Sequence, residues 1–566
     1  MSAILSADDL NDFISPGLAC IKPVEVKNPS VPKKDSRTGE EELEIQIDID
    51  GNATEINKEG TSSKLQQAQI SLADCLACSG CITSAEEVLM AQHSHKELIN
   101  VLKNNGESDL KKVFVMSISH QSRCSLAGAL NLTIEQIDKF LIHLFVNNLG
   151  FTNVVGTGLG RKISNLKISN DLITRKNKNT KIGNQSNGPI LSSVCPGWVL
   201  YAEKTHPYIL PFMNTVKSPQ QITGHLLKKL TSLERQIDIS QVYHLSIMPC
   251  FDKKLEAARP EKSDNDNDDE NTTNEQQIDV DCVITPKELI QLLQEENIDI
   301  DSLLLDISKD TTDIKHIYER YAPNGWLNPV SDSWMNDEGS SSGGYGLQYL
   351  LNLKEKLMIE NGKSNDDYRI DLITGRNTDI SELRLVDLEG NNLGSSGIVN
   401  GFKNIQNLVR KLKLSNGTSG TKKIVAGGAV GGGGGGLAAR RRARELAKKG
   451  IVESEEGKVG DTSGQTVIVD VSKCDFVEVM ACPGGCINGG GQITGPSGSD
   501  AEEWIQEIRS IYNSIPISTT EGEKLNSWVE QFLERFSVEE DRLIRTYFKE
   551  VEKPKDTASI ALGSKW

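Results

Sequence analysis

The stretch Met480–Gln492, with the sequence MACPGGCINGGGQ, decides the fold of this 566-residue chain. Two cysteines, Cys482 and Cys486, stand four residues apart, so one helical turn can present both sulfur atoms to the same object. Pro483 interrupts the backbone between them, and the glycines let the main chain lie against that object. Thiolates bind iron, and bare backbone N–H groups can point at the sulfides of an inorganic cluster. The stretch therefore predicts half of an iron–sulfur site, against the alternative of a glycine-rich loop with two idle thiols.

Two further motifs need the same explanation. They are Ser192–Trp198 (SSVCPGW) and Met248–Glu256 (MPCFDKKLE), and each places one cysteine after a short apolar stretch, next to a proline. Either cysteine alone, Cys195 or Cys250, would be interpreted as an ordinary buried thiol. Together with the pair in the first stretch they give four thiolates, the number that one cubane cluster needs. The two lysines of the second motif would offset part of the negative charge of four thiolates.

These three motifs, in this order, closely resemble the three active-site signatures of iron-only hydrogenases. The eukaryotic branch of that family contains cytosolic iron–sulfur assembly factors and nuclear prelamin-binding homologues. The resemblance covers the chain from about Val113 to its end, and it implies an α/β, two-lobed hydrogenase-like core with a small N-terminal iron–sulfur segment. In the family, the matching positions hold a 4Fe–4S cluster; here they are Cys195, Cys250, Cys482 and Cys486.

One departure from the hydrogenase pattern decides between the branches. In hydrogenases the first motif carries two adjacent cysteines, and the first of them passes protons to the diiron subsite. Here that position is Val194, whose isopropyl group has no proton to give. The chain is therefore identified as a member of the assembly-factor branch, in its fungal form, and we expect no enzyme and no catalytic residues. A hydrogenase and an iron–sulfur electron-transfer protein remain the alternatives.

A second metal site is predicted near the start of the sequence. Asp74–Cys81 (DCLACSGC) is a Cys-x-x-Cys-x-x-Cys run, the spacing of bacterial ferredoxins, which add a fourth cysteine followed by proline. The next cysteine, Cys124, is too remote to complete that pattern, and the nearest upstream candidate is Cys20. A remote fourth ligand is also what the resemblance implies. Zinc and a redox-active Cys-x-x-Cys are the alternatives. The predicted ligands of this second 4Fe–4S cluster are Cys20, Cys75, Cys78 and Cys81.

The remaining cysteines and the composition indicate a reducing compartment. Cys124, Cys282 and Cys474 are expected to be structural thiols, because eleven cysteines are too few for a disulfide scaffold in a chain this long. The N-terminus resembles neither a signal peptide nor a mitochondrial transit peptide, and no apolar run approaches the roughly 18 residues of a membrane helix. A net charge of −17 argues against nucleic acid as the main partner and suits solubility, while the missing apolar run argues against a membrane. We expect a cytoplasmic protein, with the nucleus as a second location.

Apolar strands and amphipathic helices alternate through the middle of the chain. Strands are predicted at Lys112–Ile118 and His244–Met248, and a helix at Thr133–Val146. Thr285, followed by Pro286 and by a glutamate three residues on, is typical of a helix start. This alternation predicts α/β lobes whose cluster cysteines lie at strand ends.

Composition divides the chain unevenly. Asp264–Glu275 is almost wholly Asp, Asn, Glu and Thr, which is typical of a solvated loop, and Gly431–Gly436 is a low-complexity spacer. The predicted segments are an N-terminal iron–sulfur segment (1–105) with a mobile loop (27–64), a first α/β lobe (106–235), a second α/β lobe (236–425) with an acidic insertion (261–280), a glycine-rich spacer with a basic helix (426–465), and a C-terminal cluster motif with helices and a tail (466–566).

Three smaller features bear on partners. The loop Gly339–Gly346 (GSSSGGYG) lacks the lysine of a phosphate-binding loop, and the resemblance implies that it lies near the cluster. The basic helix Leu437–Lys449 is either a nucleic-acid or import patch or, more simply, a surface helix. The resemblance further implies partners: an early scaffold of P-loop NTPases, a late targeting complex built around a WD-repeat propeller and engaged through Trp566, and apo iron–sulfur proteins as recipients of two 4Fe–4S clusters.

Overall fold

A computed structural model describes most of the chain beyond residue 89. The described ranges are 90–106, 111–182, 188–259, 278–375, 377–416, 466–496, 500–518 and 520–550, together with four short strands, Glu44–Ile47, Ala53–Ile56, Ser62–Lys64 and Lys458–Gly460. The chain divides into two compact units, residues 1–88 and residues 89–566.

In the first unit the structure describes an antiparallel three-stranded sheet, formed by β1 (Glu44–Ile47), β2 (Ala53–Ile56) and β3 (Ser62–Lys64). The charged composition predicts a mobile loop over 27–64, and for these strands that prediction is wrong. The run Glu-Ile-Gln-Ile of β1 alternates polar and apolar residues with the period of a strand. The prediction of a loop rested on the charged composition of the segment and did not use this alternation.

A parallel four-stranded sheet lies at one side of the second unit. Its strands are β4 (Val113–Ile118), β5 (Asn153–Gly156), β7 (Val242–Ile247) and β8 (Cys282–Ile284), in the spatial order β5-β4-β7-β8. The sequences VFVMSI and VYHLSI are apolar runs without alternation, as expected for strands that are covered on both faces. The predicted strands at 112–118 and 244–248 are thereby confirmed.

The second sheet is mixed. It contains β6 (Ile190–Leu191), β9 (Tyr368–Thr374), β10 (Ile380–Asp387), β11 (Asn392–Asn400) and β14 (Phe476–Met480), in the order β6-β14-β11-β10-β9. β6, β14 and β11 run parallel, whereas β11, β10 and β9 form an antiparallel meander. A separate hairpin joins β12 (Lys458–Gly460) to β13 (Thr466–Ile468).

The chain passes between these two sheets more than once. Residues 113–156 and 242–284 build the first sheet, while β6 comes from the intervening segment and pairs with β14, almost 290 residues later. Each lobe is therefore assembled from segments that are distant in sequence. Whether the predicted segment boundaries delimit units that fold separately stays a prediction.

Helices cover both sheets, and several begin at strong caps. Thr133 and Thr285 each form a capping box with the residue three positions on, and Pro286 occupies the first helical turn, as predicted. The helices of the described residues are α1 (His95–Asn104), α2 (His120–Ala129), α3 (Ile134–His143, extended by a π-turn at Leu144–Asn148), α4 (Gly158–Ile182), α5 (Pro196–Thr205), α6 (Pro219–Arg235), α7 (Asp252–Ala257), α8 (Pro286–Glu295), α9 (Ile300–Lys309), α10 (Ile314–Tyr321), α11 (Tyr345–Asn361), α12 (Phe402–Asn416), α13 (Ala501–Asn513), α14 (Gly522–Phe536) and α15 (Glu540–Ile544).

Two apolar cores meet at the central strand β4. Val115 belongs to the same core as Val477 and Val479 of the second sheet, whereas Phe114 and Met116 pack in a second core with α3 and α8. Burial on both faces makes β4 the wall between the cores. Across the part of the chain that the structure describes, no helix is both long and apolar enough to cross a membrane.

A buried ion network ties the end of the second unit to its centre. Asp279 accepts hydrogen bonds from Arg542 of α15 at 2.8 and 2.7 Å, from Lys217 at 3.2 Å, and contacts the His225 ring at 3.0 Å. All four side chains are at most 3% exposed. Burial alone would raise the pKa of Asp279, but Lys217, His225 and Arg542 together hold that pKa well below its usual range.

We predict that Asp279→Asn lowers the free energy of unfolding by about 3–5 kcal/mol, because the buried charges of Arg542 and Lys217 would lose the Asp279 carboxylate. Asp306→Asn, in the exposed pair with Lys309 at 3.3 Å, should change it by about 0.5 kcal/mol or less. Denaturant unfolding at neutral pH measures both. Since the folded-state pKa of Asp279 is lowered, the stabilisation is present above the unfolded carboxyl pKa of about 4 and is lost as the pH falls through the folded value.

Candidate metal centre

Each of the three cysteine motifs begins where a parallel strand ends. β6, β7 and β14 finish at Leu191, Ile247 and Met480, a few residues before Cys195, Cys250 and Cys482 respectively. β6 and β14 are neighbours, so their carboxyl ends lie at one edge of the same sheet. The predicted position of the motif cysteines, after the ends of strands, is confirmed; their role as cluster ligands stays a prediction.

Hydrogen bonds join the first motif to the third. The Val479 N–H donates to Ser192 Oγ at 2.9 Å, and the Ala481 N–H donates to Cys195 Sγ at 3.3 Å. The indole of Trp198 donates to the Ser192 carbonyl at 3.0 Å. The chain on either side of Cys195 is therefore fixed against β14, the strand that precedes Cys482 and Cys486.

The four cysteines of the motifs come together in space. Burial is the main cause that raises the pKa of each thiol, to about 12 for Cys486. Asp252 and the thiolate forms of Cys482, Cys195 and Cys486 raise the pKa of Cys250 further. The Ala481 N–H on Cys195 Sγ and the close approach of Gly489 to Pro249 bring the three motifs together. Neighbouring thiolates repel one another, so four of them together are unfavourable unless a cation offsets their charge.

Within the described residues, no group of three or more His, Cys, Asp or Glu side chains is placed to hold a single metal ion, and these four cysteines are no exception. Cys195 is buried, whereas the other three are partly exposed.

Glycines allow the second and third motifs to touch. A Cβ on Gly489 would lie 2.3 Å from the Pro249 carbonyl oxygen, and one on Gly491 would lie 2.4 Å from the Thr285 methyl group. The Gly491 N–H donates to the same Pro249 carbonyl at 3.0 Å. The sequence predicts that this glycine run contacts a cluster, and that stays a prediction. In the structure, Gly489 and Gly491 pack closely against the carbonyl of Pro249, the residue before Cys250.

The loop Gly339–Gly346 lies against the third motif, as the sequence analysis expected. Its Ser342 Oγ accepts a hydrogen bond from the Cys486 N–H at 3.0 Å. Gly485 has a φ of +86°, and a Cβ there would lie 2.5 Å from that same oxygen. Residue 485 must therefore be glycine for both reasons.

Val194 and Lys253 line the same region. Val194 is 5% exposed, and its carbonyl accepts a hydrogen bond from Lys253 Nζ at 3.0 Å. Lys253 also pairs with Glu256 at 2.9 Å. The charge of Lys253 lowers the pKa of Cys195 and of Cys486, though less than burial raises them. Its expected role in offsetting thiolate charge stays a prediction, because its ammonium is also paired with Glu256.

Lys254 does not share that role. Its ammonium donates to the His93 carbonyl and to Glu288, both at 2.6 Å, and its side chain is 2% exposed. The expectation that Lys254 offsets charge on the four motif thiols was wrong, because helix α7 turns consecutive side chains to different sides.

Two further residues support the third motif and were missed by sequence reasoning. Asp379 Oδ1 accepts the Gly484 N–H at 2.7 Å, and Arg509 donates to the Gly484 carbonyl at 3.4 Å. Both are far from the motif in sequence and stand in no pattern that would reveal them. The loop Gly339–Gly346, which contains Ser342, could by contrast be recognised from its run of small residues.

The remaining cysteines divide into two groups. Cys124, Cys282 and Cys474 are buried, as predicted for structural thiols, and burial raises the pKa of the first two to about 12. The predicted ligands of the N-terminal site lie outside the described residues, as does the basic helix 437–449; these ligands are Cys20, Cys75, Cys78 and Cys81.

The fold and the convergence of the motifs define a class of protein. The profile of the family described as "Iron only hydrogenase large subunit, C-terminal domain" matches residues 112–490. Among solved structures, an FeFe-hydrogenase studied for oxygen inactivation of its H cluster superposes with a TM-score of 0.54 at 18% identity, over 81% of this chain and 99% of that one. Apo FeFe-hydrogenase HydA1 from Chlamydomonas reinhardtii gives 0.52, at the same identity and coverage. The fold is that of the iron-only hydrogenases.

Relatives that align over most or all of the chain show which family within this class the chain belongs to. The chain is 50% identical to the cytosolic Fe-S cluster assembly factor NAR1 of Scheffersomyces stipitis and 47% identical to that of Candida albicans, with all of both chains aligned in each case. The NAR1 of Kluyveromyces lactis is 39% identical over 91% of each chain. The chain belongs to the NAR1 family of cytosolic iron–sulfur cluster assembly factors, the branch of the hydrogenase-like proteins that Val194 indicated.

We predict that Gly489→Ala weakens the core, because its methyl group would push the third motif off Pro249. The expected loss is about 1–3 kcal/mol, the range for overpacking. Gly490→Ala is the matched control: its Cβ would meet only Phe251, at 3.9 Å, and stability should stay within about 0.5 kcal/mol. Chemical unfolding of metal-free protein separates the two, and equal stabilities would refute the close packing.

Proposed function

We propose that Cys195, Cys250, Cys482 and Cys486 hold one 4Fe–4S cluster and that the chain works in the maturation of cytosolic and nuclear iron–sulfur proteins. The observation that carries this proposal is the meeting of four thiols from three separate strand ends. Family membership supports the coarser role, iron–sulfur cluster assembly in the cytosol.

The donor set suits such a cluster. Four cysteines are the usual ligands of a cubane, and a cationic iron core would offset the repulsion among neighbouring thiolates. The Ala481 N–H already donates to Cys195 Sγ, as backbone amides commonly do to ligating sulfurs. Lys253 adds a positive charge beside the site. When bound, the cluster would cross-link the two sheets through their strand ends.

A second 4Fe–4S cluster is proposed for the N-terminal unit. It rests on the Cys-x-x-Cys-x-x-Cys spacing and on the family resemblance, with Cys20 as the remote fourth ligand to Cys75, Cys78 and Cys81. A ligand that is remote in sequence is easier to release than ligands that follow rigid strands. We therefore assign the transferable cluster to this site, and the structural cluster to the core.

The proposed partners follow from the same role. Pre-assembled clusters would arrive from a P-loop NTPase scaffold and pass to apo iron–sulfur proteins through a targeting complex with a WD-repeat propeller. Trp566 is the proposed contact with that complex, since one aromatic anchor in a pocket can supply much of a binding energy. The absence of a thiol at position 194 argues against proton delivery and so against hydrogenase activity.

Two clusters predict about eight iron and eight sulfide per chain. Cys482→Ala and Cys78→Ala should each remove about half of the iron, but Cys482→Ala should also lower the melting temperature of the core, because binding energy there is folding energy. Iron and sulfide analysis of anaerobic protein, with calorimetry, measures both. Cys474→Ala, which removes a buried thiol outside the motifs, is the control and should keep all eight iron. Zinc without sulfide in the wild type would contradict the assignment.

Hydrogen chemistry separates the assembly role from the hydrogenase alternative. With reduced viologen dye as the electron donor, the cluster-loaded wild type should evolve no hydrogen above the background, because Val194 carries no exchangeable proton. Gas chromatography of the headspace measures the product. Sustained turnover would overturn the assembly-factor proposal, whereas rapid electron exchange with a redox partner, without hydrogen, would favour electron transfer.

A further inference from the structure

A cavity of about 340 Å³ lies between α4, α11 and the segment that leads into α14. Its volume is near the lower end of the range for small-ligand sites, so it has room for one long side chain but not for a large cofactor. Leu166, Leu351, Leu525 and the half-exposed Ile517 give it apolar walls. In the described part of the chain, no residue of the three cysteine motifs lines it. The cavity is therefore separate from the candidate metal centre.

Three side-chain amides in this cavity use their N–H groups and leave their oxygens. Asn165 Nδ2 donates to the Gly343 carbonyl at 3.3 Å. Gln348 Nε2 donates to a main-chain carbonyl at 2.9 Å, and Asn352 Nδ2 donates to a serine hydroxyl at 3.1 Å. Among the described residues, none of the three amide oxygens accepts a hydrogen bond. Asn165 is only 3% exposed, so its unpartnered Oδ1 is a buried acceptor beside the cavity.

The other polar side chains in the lining have also committed their donors. Lys162 Nζ is paired with Asp337, and the hydroxyls of Ser518 and Thr520 both donate to the Asp332 carboxylate. The side chains thus present more free acceptors than free donors. A ligand that fits this cavity must therefore bring its own donors.

Three glutamates on the solvent side of the cavity add negative charge. Glu338, Glu355 and Glu521 are exposed, and within the described residues none of their carboxylates has an ion pair or a hydrogen bond. They are not placed to share a metal ion, since no three His, Cys, Asp or Glu side chains in the described ranges could hold one. Acceptors that line one space without converging on a point suit a guanidinium, whose five N–H groups fan out in a plane.

We propose that this cavity binds the side chain of an arginine residue. The methylene stem would lie along the leucines and Ile517, as long cationic side chains commonly cover apolar surface. The guanidinium would donate to the free amide oxygens, Asn165 Oδ1 among them, and the three glutamates would offset its charge. This site needs no metal cluster, so it goes beyond the proposed function and does not depend on it.

Two sources can supply such a side chain. One is a partner protein with an exposed arginine. The other is the chain itself, because the basic segment 437–449 contains Arg440, Arg441, Arg442 and Arg444 and lies outside the described residues. The chemistry that the cavity recognises is the same in both cases.

The test is saturation-transfer NMR of full-length protein, titrated with N-acetyl-arginine amide at low ionic strength. N-acetyl-citrulline amide, which has the same shape without the charge, should bind about fivefold more weakly. N-acetyl-glutamate amide probes the opposite preference, because the first N–H groups of α14, at Gly522, favour anions; it should not bind. Absence of arginine binding, equal binding of citrulline, or a preference for glutamate would each overturn the proposal.

Substitutions locate the bound probe. Glu355→Gln should weaken binding of the arginine probe about two- to fivefold, as expected for an exposed ion pair. Glu360→Gln is the matched control: it removes the same charge from the same helix, α11, but Glu360 is outside the cavity lining and pairs with Lys356 at 3.7 Å. Binding to this control should stay at the wild-type value. Equal weakening in both variants would indicate attraction to the overall negative charge, and the proposal would be wrong.

The buried amide gives a second, independent variant. Asn165→Ala should weaken binding of the arginine probe about tenfold, because a hydrogen bond to a charged donor is lost. If this variant unfolds, the two glutamate variants still decide, since both positions are exposed. Wild-type affinity in folded Asn165→Ala and in Glu355→Gln would overturn the proposal.

A chain with glutamine at all four arginine positions of segment 437–449 separates the two sources. If the chain's own arginines compete for the cavity, the probe should bind more tightly to this variant than to the wild type. If a partner supplies the arginine, the two affinities should be equal. Either result supports the cavity as an arginine site, provided that Glu355→Gln weakens binding in the same background; if it does not, the site is refuted.

Discussion

The constraint on which the rest of the structure depends is the contact of Gly489 and Gly491 with the Pro249 carbonyl. It brings together backbone that follows β14 and backbone that follows β7, and these strands belong to different sheets. A side chain on Gly489 would force the two strand ends apart, and with them Cys250 and the pair that follows β14. The glycine run is therefore a requirement of sheet packing first, and the position of the thiols follows from it.

The sequence predicted those parts of the structure that local patterns determine. Local patterns identified the apolar runs of β4 and β7, the caps at Thr133 and Thr285 and the four motif cysteines. Each of these features depends on residues within about ten positions of one another. The sequence did not predict that each lobe combines segments distant along the chain, because the pairing of β6 with β14 leaves no local sequence pattern. For the same reason Asp379 and Arg509 were missed. The error at β1 has a different cause. Its alternation of polar and apolar residues is visible in the sequence, but the charged composition around it predicts a loop.

The fold alone does not decide between a hydrogenase and an assembly factor. The solved structures compared above are hydrogenases at under 20% identity, whereas the relatives compared above, which align over most or all of the chain, are assembly factors. In this chain the place next to Cys195 is taken by Val194, whose carbonyl is held by Lys253. Val194 therefore places a branched apolar side chain, which has no exchangeable proton, beside Cys195. The proposed non-catalytic role rests on this absence of a thiol at position 194.

The order of the motifs along the chain has a consequence for biosynthesis. Cys195 and Cys482 are neighbours in the fold, yet 287 positions separate them. At roughly 5–20 residues per second, translation of that interval takes on the order of 15–60 s. During that time the nascent chain contains first Cys195 and then also Cys250, but not yet β14, the strand that precedes the other two cysteines. Arg542, which secures Asp279 from the last described helix, emerges later still. Under the proposed function, cluster insertion into the core therefore follows synthesis of β14, and until then the reduced thiols need protection from oxidation and from other metal ions.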